Sequence, residues 1–212
     1  MTKSTWRSIF EHSLTLLVLT ILVLYTYARF FEVPYVGFDY QTSSGRIIEI
    51  SQDAPEDSLQ LGDVLLQVGS LSWDEYRTTL HQVLFEKGQE EIPLLVQRGD
   101  EQVEILWKVP ETDARDVQGR FVMLWIPYIF WLAGAATQLL VRPKDSRWWL
   151  LIAFNYLTAI WLIAGLDSRW HVWGSALVLR AVIWLCLPVY WHLHWIFPRP
   201  LGRTPAWLLS LY

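Results

Sequence analysis

The stretch Gly45-Arg46-Ile47-Ile48-Glu49-Ile50, followed after a polar gap by Leu61-Gly62-Asp63-Val64-Leu65-Leu66-Gln67-Val68, decides how the chain is read. Short aliphatic runs bounded by Gly, Asp and Ser are strand-and-turn signals. Similar runs flank it: Tyr35 to Phe38 before, Ile92 to Val96 and Val103 to Val109 after. Turn residues separate them at Ser43-Ser44-Gly45, Gly69-Ser70 and Gly99-Asp100, the last predicting a hairpin. One segment keeps a different period. Tyr76, Leu80, Val83 and Leu84 recur at helical spacing, predicting a helix over 74–85 with Asp74 and Glu75 at its start and Lys87-Gly88 past its end. Residues 34–110 therefore read as a small α+β domain.

Outward from this domain the composition changes. Between Glu32 and Asp116 lie 18 of the 21 acidic residues but only 6 of the 17 basic ones. The chain as a whole is 53% hydrophobic, with 14 Trp and a mean hydropathy of +0.24, more apolar than an ordinary soluble domain. Apolar runs at 13–31, 121–141, 148–166 and 172–197 are each long enough to cross a hydrocarbon core about 30 Å thick. An α-helical membrane bundle is expected from them. A further run begins at 205–212, where the sequence stops in mid-run, so the natural protein is expected to continue. Lys3 with Arg7, the group Arg142, Lys144 and Arg147, and Arg199 with Arg203 mark alternate ends of the runs. The positive-inside bias then places 1–12 in the cytoplasm, the acidic domain and its 111–120 connector outside, and the short Asp167-Ser168-Arg169 turn outside as well. A cleaved signal peptide ending at Thr26-Tyr27-Ala28 is the competing reading, and the length of the run and the bulky tyrosines argue against it.

Chemistry is sparse. No basic tract interleaved with aromatics speaks for nucleic acid. The single Cys186 cannot build a disulfide or a Cys-rich metal site within the chain. His-Glu-x-x-His, Gly-x-Ser-x-Gly and Walker-type motifs are missing from the sequence, so no catalytic residue, cofactor or metal ligand is nominated. His81 reads as a solvated side chain on the predicted helix, and His192 and His194 are two apart and do not share a helix face. The polar candidates within the spans are Asn155, Arg180 and His194. Arg180 either marks the true start of the fourth span, leaving Trp170 to Leu179 as an interfacial segment, or faces a polar cavity with Asn155 or Asp167. Pro127 predicts a kink in the second span, and Gly134-Ala135-Ala136 a close helix contact.

Val36-Gly37-Phe38, Leu61-Gly62-Asp63-Val64-Leu65 and Gln97-Arg98-Gly99-Asp100 together resemble a PDZ domain, a partly open antiparallel β-barrel with a groove helix. The resemblance implies that the backbone around Val36, Gly37 and Phe38 holds a C-terminal carboxylate. A peptide would then add as a strand after Phe38, with a side chain set against Tyr76, Leu80 or Leu84. The sequence departs from that pattern at Gln52 to Ser58 and at Tyr35, where the loop's first glycine is expected. A folded spacer with an empty groove is the bland alternative. Anchor, external domain, multi-span bundle and the Phe197-Pro198-Arg199-Pro200 exit after His194 resemble in their order the N-terminal sensor half of ComP-like bacterial sensor histidine kinases. That likeness implies a multi-pass protein of the bacterial inner membrane, with lipid, an external peptide or protein C-terminus and a second copy of the chain as partners, and with the kinase beyond Tyr212. Two other readings stay open: a non-enzymatic membrane scaffold or secretion component, and the membrane part of a protease whose active site lies beyond Tyr212.

Overall fold

A computed structural model describes residues 3–51, 59–111, 114–198, 202 and 205–206. Gln52 to Ser58, Arg199, Arg203 and the Trp207–Tyr212 start of a fifth span lie outside the described residues, as do the side chains of Lys3 and Arg7. In chain order the elements are α1 (Lys3–Phe31), β1 (Phe38–Tyr40), β2 (Ile47–Ile50), β3 (Val64–Val68), β4 (Leu71–Ser72), α2 (Trp73–Thr78), β5 (Glu91–Arg98), β6 (Glu101–Lys108), α3 (Ala114–Val122), α4 (Trp125–Leu140), α5 (Ser146–Asp167) and α6 (Ser175–Ile196). They form two units, a helical one of residues 1–27, 121–166 and 177–212, and a sheet-bearing one of residues 28–120 and 167–176.

Four helical segments are long and apolar enough to cross a membrane: Ile9–Phe31, Asp116–Leu140, Ser146–Trp170 and Val172–Ile196. Leu16, Leu17, Leu132, Leu140, Trp184 and Trp191 are exposed on the helical unit, apolar surface that suits lipid better than water. Its interior combines buried apolar side chains such as Leu22, Ile152 and Ile163 with polar contacts between the helices. Thr15 of α1 donates to Gln138 of α4 at 2.9 Å and lies 2.7 Å from the Tyr156 hydroxyl of α5. Thr26 pairs with Tyr128, Thr158 with Tyr190, and Trp131 Nε1 donates to the Thr15 carbonyl. Gly134 faces the Tyr156 ring so closely that a Cβ there would collide with it. The small-residue contact read from Gly134-Ala135-Ala136 is therefore real at its first residue. The break expected at Pro127 falls instead at Met123-Leu124, between α3 and α4. Pro127 occupies the first turn of α4, where a proline removes no intrahelical hydrogen bond.

In the sheet-bearing unit, β1 pairs antiparallel with β2, and a four-stranded antiparallel sheet runs β4-β3-β5-β6. Ile92, Leu94 and Val96 of β5 and Ile105 and Trp107 of β6 point inward at period two, as a half-buried strand requires. Gly99-Asp100 closes the β5–β6 hairpin, with Arg98 opposite Glu101 and Gly99 at φ +60°. The Gly62-Asp63 turn has a specific job. Asp63 is 3% exposed and its carboxylate accepts from the Gln60 N–H and from Arg98 Nε and Nη2, at 2.9, 2.9 and 2.7 Å. The start of β3 is thereby fastened to the far hairpin. Burial works to raise the Asp63 pKa, but these hydrogen bonds and the Arg98 charge outweigh it and hold the carboxyl below its ordinary value.

The helix predicted over 74–85 is a correction. Its start is as read, with Ser72 capping Glu75 N–H and acidic residues in the first turn, but α2 ends at Thr78. Thr78 and Thr79 turn their hydroxyls onto the Glu75 and Tyr76 carbonyls, and Thr79 is extended. Threonine side chains competing for backbone groups disfavour continuation. The chain then runs irregularly while Leu84 and Phe85 enter the core.

Candidate functional site

The β1 edge and the α2-to-Phe85 segment form two walls, and most of the nominated residues lie on them. Val36 and Phe38 are buried, and the Val36 carbonyl accepts from Trp107 Nε1 at 2.7 Å. Gly37 has φ +75° and packs on the Pro110 ring where a Cβ would collide, so no other residue fits there without a shift. The Phe38 ring meets Trp107 and Phe85 edge-on at 5.4 and 5.8 Å. Tyr76 and Leu84 are buried between the walls and Leu80 is half-buried, so Tyr76 and Leu84 are core residues as well as wall residues. His81 is exposed.

The walls meet through the Phe38, Tyr40 and Phe85 rings, and a further segment of the chain packs on both of them. Residues 168–174 leave α5 as two short 3-10 turns and enter the same core as β1 and α2. The Trp170 ring lies 6.1 Å from Tyr40 and 5.9 Å from Phe85, both edge-on, and is 6% exposed. Arg169 Nη1 binds Asp39 of β1 at 2.6 Å, while the Arg169 carbonyl accepts from the Tyr76 hydroxyl. Burial pushes the Tyr76 phenol up to about 12, so it remains an O–H donor at any ordinary pH. The His171 ring stacks 4.6 Å from Tyr76, and its Nδ1 donates to the Gln82 carbonyl at 2.8 Å. His171 and Trp173 both adopt left-handed backbone angles, φ 55° and 49°. For residues with a Cβ this costs of order 1–2 kcal/mol each and persists only where surrounding contacts enforce it. Val172 is buried in the same core.

Beside the Val36-Gly37-Phe38 turn opens a cavity of about 650 Å³, lined also by Glu49, Ser51, Arg29, Arg120 and Arg169. Its cations are already paired, Arg29 with Asp167 at 3.1 Å, Arg120 with Asp116 at 2.7 Å and Arg169 with Asp39. Arg120 also donates to the Arg29 and Val33 carbonyls, satisfying acceptors at the C-terminal end of α1. The cavity is thus polar and close to charge balance rather than an anion trap.

The intramembrane candidates do not converge. Asn155 is buried but donates to Leu151 of its own helix, Asp167 pairs with Arg29, and Arg180 is exposed on the second turn of α6. His194 is exposed and edges an apolar cavity of about 610 Å³ with Trp161, Cys186, Tyr190 and Trp191. Among the described residues no cluster of His, Cys, Asp or Glu is suited to a metal ion.

The residues that reading by sequence missed are Arg169, Trp170 and His171, taken there as an interfacial turn. The only local hint was the density of aromatics, with Trp170, His171 and Trp173 in four positions. Compared with known protein families, curated proteins and solved structures, the chain has no match.

Proposed function

We propose that this chain is the membrane-embedded, signal-sensing region of a two-component sensor histidine kinase, with residues 34–110 as an extracytoplasmic PDZ-like domain. The observation that carries the reading is the packing of β1 against α2 to Phe85, in a domain inserted between segments long and apolar enough to cross a membrane. Four strands (β1 to β4), the helix α2 and the β5–β6 hairpin make up the domain, and Gly37, at positive φ, stands where the carboxylate-binding loop of the PDZ likeness would need it. In this reading an external peptide or protein C-terminus engages the groove and biases one of two arrangements of the bundle, which requires unequal affinity for the two. The lipid bilayer surrounds the helices, and the bacterial inner membrane is the proposed location.

The packing of Trp170 and Val172 into the same core as β1 and α2 favours a second reading, a membrane scaffold in which the domain is a rigid spacer. Calorimetric titration of the full chain with a diverse set of peptides bearing free C-termini separates the two. Saturable binding that weakens about tenfold on Leu80→Asp supports the sensor. No binding by any peptide leaves the scaffold. For the kinase itself, the downstream reading frame must encode a phosphoacceptor histidine and an ATP-binding domain; a frame without them removes that part of the proposal.

A further inference from the structure

In the proposed receptor, the chain itself packs where an external ligand would engage β1 and α2. Arg169 to Val172 touches both walls: Asp39 on β1, Tyr76 on α2 and Gln82 beyond it. Its Trp170 side chain is buried against Tyr40 and Phe85. The Arg169–Asp39 pair is of a kind that water can replace, since each side chain is 37% exposed, whereas the Tyr76 hydroxyl that donates to the Arg169 carbonyl is buried. The segment enters as 3-10 turns and not as a strand, so β1 remains the edge of a two-stranded sheet. Within it His171 adopts a left-handed backbone angle, φ 55°, a conformation that costs energy for a residue with a Cβ.

We infer that Arg169–Val172 is the resident ligand of this groove, seated through Trp170, and that an external peptide engages the domain only as this segment leaves. This rests on the reading of the domain as a peptide receptor and gives that receptor a closed state. The segment is the connection between α5 and α6, so whatever empties the groove frees the turn that joins two membrane-crossing helices. Exchange of internal for external ligand is then a direct route from groove to bundle. The apparent affinity for any external peptide is reduced by the fraction of time the groove is open.

The test uses the full chain in lipid nanodiscs and a fluorescent, C-terminally amidated peptide of residues 168–173, Ser-Arg-Trp-His-Val-Trp. Amidation removes the free carboxylate, which the internal segment also lacks. Trp170→Ala and Arg169→Asp open the groove and are expected to bind this peptide about tenfold or more tightly than the unaltered chain. Arg169→Asp combined with Asp39→Arg restores the internal pair, opposes the peptide's arginine and returns binding to the unaltered level. Equal affinities across all four forms, or no binding to any, overturn the inference. Arg169→Asp keeps the test valid if Trp170→Ala fails to fold, because it alters a partly exposed pair. The two proposals fail separately. A library peptide that binds the unaltered chain and Trp170→Ala equally well keeps the receptor and overturns the internal ligand. Binding of the amidated peptide to the opened forms, with no library peptide bound by any form, keeps the internal ligand and removes the receptor.

Discussion

Asp63 shows how one side chain can fix a domain's frame. Its carboxylate is buried at the start of β3 and collects three hydrogen bonds, two of them from Arg98 across the sheet. Asp63→Asn keeps the shape but removes the charge that Arg98 faces. The expected loss is about 2 kcal/mol, the size of a hydrogen-bonded charge pair broken from one side. Hydrogen exchange of the β3 and β5 amides in the full chain would read it; protection unchanged within error would contradict the assignment. The pH dependence follows from the direction of the shift. The folded pKa lies below the ordinary aspartate value of about 3.9, so the contribution is fully present above that value and is lost as pH falls through the lower, folded pKa. The difference between Asp63→Asn and the unaltered chain should therefore be constant at neutral pH and close only in acid below about pH 4. A difference that shrinks near pH 6 would point to another group.

At the scale of elements, the helices of the membrane-crossing unit are set by backbone approach as much as by apolar burial. Gly134 of α4 rests on the Tyr156 ring of α5, and that ring cannot swing aside freely because its hydroxyl is tied to Thr15 and Gln138. Gly134→Ala should destabilise the bundle by about 1–3 kcal/mol through overpacking. Gly165 on the same helix as Tyr156 has only an ordinary contact, with Leu179 at 3.8 Å, so Gly165→Ala should be neutral or mildly stabilising through helix propensity. Detergent-denaturation midpoints of the two variants would test the contrast, and equal midpoints would remove the close contact from the account. The same scale explains what the sequence could show. Spans and strands were legible because their periods are local, and Asp74 with Glu75 marked a true helix start. The end of α2 was not, because the apolar spacing of Leu80, Val83 and Leu84 suits a helix, while Thr78 and Thr79 stop it through side-chain bonds to the backbone. The packing of residues 168–174 into the sheet-bearing core was hidden for another reason. Arg169 and His171 find partners 89 to 130 positions away, and a turn of seven residues has no period to betray where it packs.

For the whole molecule, the pairing of helix ends constrains topology before any charge rule is applied. Glu11 of α1 and Lys144, between α4 and α5, form an ion pair inside the helical unit, so these two ends share a side. Arg29 at the other end of α1 and Asp167 at the other end of α5 pair inside the sheet-bearing unit, so these also share a side. An odd number of crossings between Glu11 and Arg29, and again between Lys144 and Asp167, satisfies both pairs. Which side is cytoplasmic then depends on the basic bias, with Arg142, Lys144 and Arg147 gathered at the Glu11 end. Alkaline phosphatase, active only after export, fused at the exposed Gln89 should be active in a bacterial host, and fused after Lys144 it should be inactive. The converse pattern would reverse the orientation and put the sheet-bearing domain in the cytoplasm, where the proposed external peptide could not reach it. Activity at both sites would break the Glu11–Lys144 argument as well, since these ends could not then lie on one side of a bilayer crossed by α1 and α5.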